Sequence, residues 1–438
     1  MSRKYTLPPQ ELWRRGLLNG LMFSIFGILF LQRRYLDITD LLVIIALITV
    51  LMRTDTRQTM WRLFAGSSSI DLRWIAWPFL TWCLVISLTW LTGLHPSNYP
   101  HQTLRYTLAL SLLALTLGNR PASRYLLWGL CVAAVVAAGQ SAWDWLIADK
   151  SRAAGLMLKP IDFGNWSAFT GMLLILFAAL ASQWQMRWRI GALLLAILSL
   201  LACALSATRG SFLAIPVLAV FLLFLRKDRF HRWLLGLGLI ATIIGSLLIL
   251  RLPSLQEDLR LVEAKQDMTQ ATGGKNYATS IGARFVMWQS AWEMFKQHPI
   301  TGVGPGSGGY SDELDQMLKK GELPPIQQVF NHAHSDIMHT LATSGLLGLI
   351  AYLVLIAGPL IFFGRALHRA DADAHQRMYA AAGLLVVSSG LCFGLTDSNV
   401  VKHIYNSTYP LLICALAAQL LPTNQKSSMR GPKSASLE

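Results

Sequence analysis

The chain has 438 residues, 53% of them hydrophobic and only 14% charged, with a formal net charge of +15. That apolar content is too high and too blocky for a water-soluble core. The positive balance does not indicate nucleic acid either, because the basic residues flank apolar runs, where anionic lipids and the insertion of membrane helices account for them.

Runs such as LLVIIALITVLM, LLLAILSLLACAL, AIPVLAVFLLFL and LLGLGLIATIIGSLLIL are almost free of charge. They are long enough to form, with their flanks, helices of the roughly 20 residues needed to cross a bilayer. In chain order the expected spans are 16–32, 36–52, 72–93, 102–118, 123–147, 163–183, 188–207, 211–225, 232–250, 336–363, 377–396 and 404–421. The fold class is therefore an all-α integral membrane protein with about twelve transmembrane helices. The first run lacks a small-residue cleavage site and is followed by further spans, so it reads as a retained helix.

Most connections are short. The exception is 252–335, a long loop between the ninth and tenth spans, which divides the chain into 1–251, the loop subdomain, 336–421 and a basic tail at 422–438. With the N-terminus inside, 22 of the 38 Lys and Arg residues fall on cytoplasmic segments, against eight on the short outer connections. The positive-inside rule then places both termini in the cytoplasm and the long loop outside. All five cysteines, Cys83, Cys131, Cys203, Cys392 and Cys414, fall in predicted spans, which leaves no disulfide framework and no CxxC metal pattern.

The long loop opens with a polar, helix-permissive stretch that breaks at TGGKN. The segment after it carries Phe285, Trp288, Trp292 and Phe295 at helical spacing, the pattern of an amphipathic helix with one aromatic face at the membrane interface or on the bundle. It ends at His298-Pro299. In the ITGVGPGSGGY that follows, Gly304, Gly306 and Gly309 fit GxGxxG only formally, since no strand precedes them. A turn that lets backbone approach a neighbour or ligand closely explains these glycines better. A short helix over DELDQMLKKG then precedes the return to the membrane.

Cations are scarce on the outer face, so those present need a reason. Arg209, in LSATRGSFLA, sits between two spans with almost no connection, either as a snorkelling interfacial residue or as a contact for an anionic ligand. Arg284 lies in the first turn of the aromatic-faced helix, where a cation opposes the positive helix end; a phosphate there would be held by free backbone N–H groups and the guanidinium together. Arg152, Lys159, Asp397 and Lys402 share that face, as cleft-lining groups or as solvated loop charges. In NHAHSDIMH, His332 and His334 form an HxH pair beside Asp336 and His339. Three readings stand: a zinc site, the wet lip of a span, or a general base, for which one imidazole with an ordinary pKa near 6.5 suffices. Ser335 or Asp336 could cap or orient the turn. The triplet Asp371–Asp373 resembles a nucleotide-sugar motif but lies in a short cytoplasmic connection. Outer-face cations beside a histidine, with no paired-carboxylate site, suit transfer from a lipid-linked pyrophosphate donor, which brings its own leaving group.

TRGSFLA, GARFVMWQSAWEMFKQHPITGVGPG and NHAHSDIMHTLATSGLLGL, in this order around the long loop, resemble the O-antigen ligase and polymerase superfamily of bacterial envelopes. The resemblance is strongest over 206–214 and 282–350. It implies an inverting glycosyltransferase of the GT-C type, independent of metal and cofactor, at the periplasmic face of a Gram-negative inner membrane. In the ligase branch, O-antigen moves from undecaprenyl pyrophosphate to the lipid A–core oligosaccharide. The resemblance makes Arg209 and Arg284 the donor-pyrophosphate residues and His334 the base, with His332 as the alternative, because Ser335 stands where the family often has Asn. Asp397 corresponds to an acidic position in the next outer loop. A polymerase or a protein O-oligosaccharyltransferase would share these features. A transporter of lipid-linked saccharides would instead line a path through the midplane with its charges.

Overall fold

The computed structural model describes residues 9–31, 33–65, 71–92, 100–116, 121–208, 210–211, 214, 216, 277, 279–305 and 307–421. Arg209, the expected spans at 211–225 and 232–250, most of the first part of the long loop, and the basic tail therefore lie outside the described residues.

Among the described residues the regular structure is entirely helical: α1 (Pro9–Gly27), α2 (Arg33–Met52), α3 (Thr54–Ala65), α4 (Arg73–Thr92), α5 (Pro100–Thr116), α6 (Ser123–Leu146), α7 (Pro160–Leu180), α8 (Met186–Leu205), α9 (Ser280–Gln297), α10 (Ser307–Lys319), α11 (Asp336–His368), α12 (Ala374–Gly394) and α13 (His403–Ala418), with short 3-10 turns between some of them. Six of these, α4, α6, α7, α8, α11 and α12, are long and apolar enough to span a membrane, and α2 and α5 contain shorter apolar stretches. The amphipathic α3 falls in the connection 53–71, where no helix was expected.

Burial is distributed as in a lipid-solvated bundle. On α8 the buried side chains are Ala192, Ala196, Ser199, Ala202 and Cys203, while Ile190, Leu193, Leu194, Ile197, Leu198 and Leu201 are exposed. In water that arrangement would be inverted. In lipid, small residues admit close helix packing and large aliphatic ones face the chains. Exposed tryptophans mark both ends of the bundle: Trp13, Trp77, Trp128 and Trp188 near the starts of α1, α4, α6 and α8, and Trp143 and Trp145 at the end of α6. Such aromatic belts sit at membrane–water boundaries.

The described part of the long loop has its own apolar cluster, formed by Val286, Ala291, Met294, Val303, Tyr310, Leu314, Met317, Leu323 and Ala333 together with Ala342 of α11. On α9 the buried stripe is Ala283, Val286, Met287, Ser290, Ala291 and Met294, whereas Phe285 and Trp292 of the expected aromatic face are exposed. The helix therefore docks through its small and aliphatic side, with Phe285 and Trp292 left outward while Trp288 packs against the loop cluster.

This unit is tied to α11 by backbone. Gly345 interrupts α11 with φ 60° and ψ −156°, and the irregular stretch 299–304 enters the gap. There the N–H groups of Val303 and Gly304 donate to the carbonyls of Ala342 and Thr343 at 3.0 Å each, and that of Leu346 donates to Pro299 O at 2.8 Å. A Cβ on Gly302, itself at φ +68°, would lie 2.3 Å from Thr343 C, and one on Gly345 would lie 2.4 Å from Ile300 C. The close approach expected of the glycine-rich turn is thus real: Gly304 enters the joint through its N–H and Gly309 packs on Gly304 O, but the tightest approach to α11 is at Gly302, outside the GxGxxG pattern.

Candidate active site

The expected site residues that are described gather at one end of the bundle, where α7, α11 and α13 begin and α8 and α12 end. The HxH turn runs into α11. Trp288 of α9 donates to Ala333 O at 2.9 Å, and Ser335 N–H donates to Ser398 Oγ at 3.1 Å. Held from both sides, His334 adopts φ +50°, a left-handed conformation that costs a non-glycine residue about 1–2 kcal/mol. Strain of this kind persists where the surroundings over-determine the backbone, often at a site of chemistry.

The strained turn brings the imidazole of His334 to Asp397, with Nδ1 and Oδ1 3.4 Å apart. That contact is long for a hydrogen bond, as pairs that tighten only with substrate bound often are. The His332 ring lies against it, with centroids 4.3 Å apart. His332 is held neutral by burial first and by the neighbouring His334 next, which push its pKa down to about 2. His339 is buried further along α11 with its ring 5.4 Å from that of Tyr310.

Asp397 is 2% exposed and Lys402 11%. The carboxylate accepts Ser398 N–H at 2.9 Å and pairs with Lys402. Burial alone would raise the Asp397 pKa, but the Lys402 charge and the His334 contact outweigh it and hold the carboxyl well below its usual range. Lys402 also pairs with Asp162 in the first turn of α7. Burial disfavours the ammonium, yet the two carboxylates raise its pKa above that of a free lysine. One residue further into the turn, Asp336 accepts Val400 N–H at 2.9 Å and the Tyr352 hydroxyl at 3.3 Å, so it ties the HxH turn to the 397–402 loop. Ser335, the other candidate cap, makes no side-chain capping bond.

Arg284 is half-buried in the first turn of α9 and has no hydrogen-bond or ion-pair partner among the described residues. Burial lowers its pKa, and Asp397 opposes that shift. Arg152 and Lys159 do not join this cluster in the same way: Arg152 Nε donates to Ser206 O at 3.0 Å, and Lys159 is the exposed N-cap of α7. The described neighbours of Arg209 converge on the same end, since Thr208 Oγ1 donates to Pro160 O at 2.9 Å and Gly210 packs on Thr396.

His332, His334 and Asp397 each offer one ligand atom, all within 4.8 Å of one another, and are the described residues that could hold a metal ion. The fit is poor. Both Asp397 oxygens are already engaged, and a divalent cation would sit beside the Lys402 ammonium with Arg284 nearby. Chemically the arrangement is an imidazole oriented by an anionic carboxylate, close to a guanidinium that has no partner among the described residues: groups able to accept a proton and to contact an anion.

Asp162 was not anticipated. Its partner is 240 positions away, and its only local signal is an acidic residue in the first turn after Pro160.

All-helical architecture, several apolar spans and aromatic belts define a multi-pass membrane protein carrying this site at one end of its bundle. Residues 194–353 match the model of the O-antigen ligase family, a similarity over that stretch that supports an assignment to the O-antigen ligase and polymerase superfamily. The matched stretch contains Arg209, Arg284, His332 and His334. An uncharacterized protein of Haemophilus influenzae (strain Rd) is 32% identical over 208 residues, 47% of this chain and 51% of the relative. The chain thus spans about half the length of that relative.

Proposed function

We propose that the protein is an O-antigen ligase, which transfers O-antigen from undecaprenyl pyrophosphate to the lipid A–core oligosaccharide at the periplasmic face of a Gram-negative inner membrane. The observation that carries this reading is the pairing of His334 with the anionic Asp397 beside Arg284, which has no partner among the described residues; His334 and Arg284 both lie in the stretch that matches the ligase family. His334 accepts the proton of the acceptor hydroxyl, whose oxygen attacks the anomeric carbon. The bond from that carbon to the diphosphate breaks with inversion, and undecaprenyl pyrophosphate leaves with its charge held by Arg284 and Arg209.

His334 is preferred to His332 because a base works best with a pKa near the operating pH, and His332 is held far below it. In this reading the twelve-span topology, with both termini cytoplasmic, places the site outside. The gathering of the charges at one bundle end favours transfer over transport.

Reconstitution with purified lipid-linked O-antigen and lipid A–core tests the proposal. Product that forms without ATP and is abolished in H334A supports it, whereas donor movement across vesicles without a covalent product sinks it. Supplying a second donor molecule as the sole acceptor separates a polymerase from a ligase, and a protein acceptor identifies an O-oligosaccharyltransferase.

A further inference from the structure

We propose that Lys402 and Asp162 are positioning residues, a buried ammonium and its counter-carboxylate that hold Asp397 aimed at His334 and do not themselves touch the donor diphosphate. The inference rests on the reading of His334 as the base.

The geometry is a chain of groups from four elements. Asp162 comes from the first turn of α7, Lys402 from the N-cap of α13, Asp397 from the loop after α12, and His334 from the turn before α11. The side chains of Asp162, Lys402 and Asp397 are only 9%, 11% and 2% exposed. Burying three charges is costly compared with filling the same space with apolar groups, so their retention calls for a role beyond packing. Lys402 also stands at the positive end of α13, where a cation is unfavourable on helix-dipole grounds. Asp162, by contrast, is favourably placed in the first turn of its helix.

The contacts show what the arrangement does. Lys402 takes Oδ2 of Asp397, which leaves Oδ1 to Ser398 N–H and to His334 Nδ1. A carboxylate on Nδ1 fixes the imidazole tautomer with Nε2 free to accept a proton. Asp162 closes the other side of the ammonium, so Lys402 is turned away from an incoming anion. Among the described residues the other charged or titratable groups near Asp397 are His332, Arg284 and Asp336, and of these Arg284, which has no partner among them, is the cation left open for phosphate.

The test uses full-length protein in nanodiscs and two independent readouts. Infrared difference spectra report protonated carboxyl groups whether or not the protein is a ligase. Relative to wild type, K402M is expected to gain a carboxylic-acid C=O band at neutral pH that is lost again in K402M/D397N and is not gained in K402R. In the transfer assay, K402M should lose kcat about 10- to 100-fold with the donor KM little changed, and K402R should restore most of the rate. Should K402M fail to accumulate, D162N decides: positioning predicts a lower kcat at unchanged donor KM, whereas a freed donor-binding lysine would lower KM. A rise in donor KM at unchanged kcat in K402M, with no carboxylic-acid band gained, overturns the proposal. Absence of transfer by wild type refutes the ligase reading instead, and the infrared result then still settles how Asp397 is held.

Discussion

The segment from 299 to 345 meets α11 at two places built on opposite principles. At Gly302 and Gly345 two backbones touch, each N–H that enters the joint finds a carbonyl, and positive φ angles fall on residues without a Cβ. One turn before α11, His334 takes a positive φ with a full side chain, and the ring nitrogen Nδ1 is buried without a properly formed hydrogen bond. The first place is satisfied and unstrained; the second accumulates strain, buried charge and an under-used donor. Proteins keep such costs where a group must be ready for something not yet bound. The joint fixes where the turn sits, and the turn carries the proposed base.

The contrast predicts a division between variants that stop chemistry and variants that stop folding. H334A is expected to lower transfer by roughly 100- to 10,000-fold, the usual contribution of a general base, with the folded protein recovered in normal yield. Activity retained within a factor of a few would remove His334 from the reaction. G302A should do the reverse. Its methyl group would meet Thr343 C at 2.3 Å on a backbone already at φ +68°, a cost of roughly 3 kcal/mol or more from overpacking and left-handed strain together. Thermal unfolding in detergent measures it, and an unchanged midpoint would mean that the joint can open without loss.

The ends of this comparison were unequally legible in the sequence. Apolar runs announced the six spans found among the described residues, because charge-free stretches of that length have few other uses, and the HxH pair and Arg284 stood out as polar groups where polarity is scarce. The joint was half visible: the glycines announced a close approach, but Gly345 looked like one more residue in a long apolar helix, and nothing local said that it would break α11 for Ile300. Asp162 and Tyr352 were silent because their partners lie far away in sequence or read as ordinary helix positions. The aromatic face of α9 was left with two readings, at the membrane interface or on the bundle, because aromatic periodicity marks a stripe without saying whether lipid, water or protein covers it. Arg152 and Lys159 were grouped with the site by face alone, and sharing a face does not fix the distance between side chains.

Acidity separates the two places further. Asp397 has a depressed pKa, so its contribution to stability is present above the unfolded value near 3.9 and lost only below it. The raised pKa of Lys402 leaves its contribution intact until alkaline pH. Neither produces a slope between pH 5 and 8. His332 does: an unfolded histidine binds a proton below about pH 6.5, whereas the folded one stays neutral to about pH 2. Stability should therefore fall with pH through that window, by about 2 kcal/mol at pH 5. H332N removes this source of slope, so its unfolding midpoint should gain on wild type steadily from pH 7 to 5. A constant difference between the two would show that His332 is not buried as a neutral ring. G302A should track wild type across the same range, since no titrating group enters the joint.

The smallest effect isolates the strain itself. At position 334 alanine and glycine both lack the imidazole, so both should be inactive to the same degree, and they differ only in what the φ of +50° costs them. Alanine keeps a Cβ in the left-handed region, a penalty of about 1–2 kcal/mol, while glycine visits that region freely. Glycine in turn loses more backbone freedom on folding, which returns part of the gain. The net expectation is that H334G is the more stable of the two by up to about 1 kcal/mol. At the joint the same logic gives the opposite order, with G345A less stable than wild type. If H334A equals or exceeds H334G, the backbone at 334 relaxes once the ring is gone. The strain would then be imposed by the imidazole and its carboxylate, not by the Trp288 and Ser398 contacts that flank the turn.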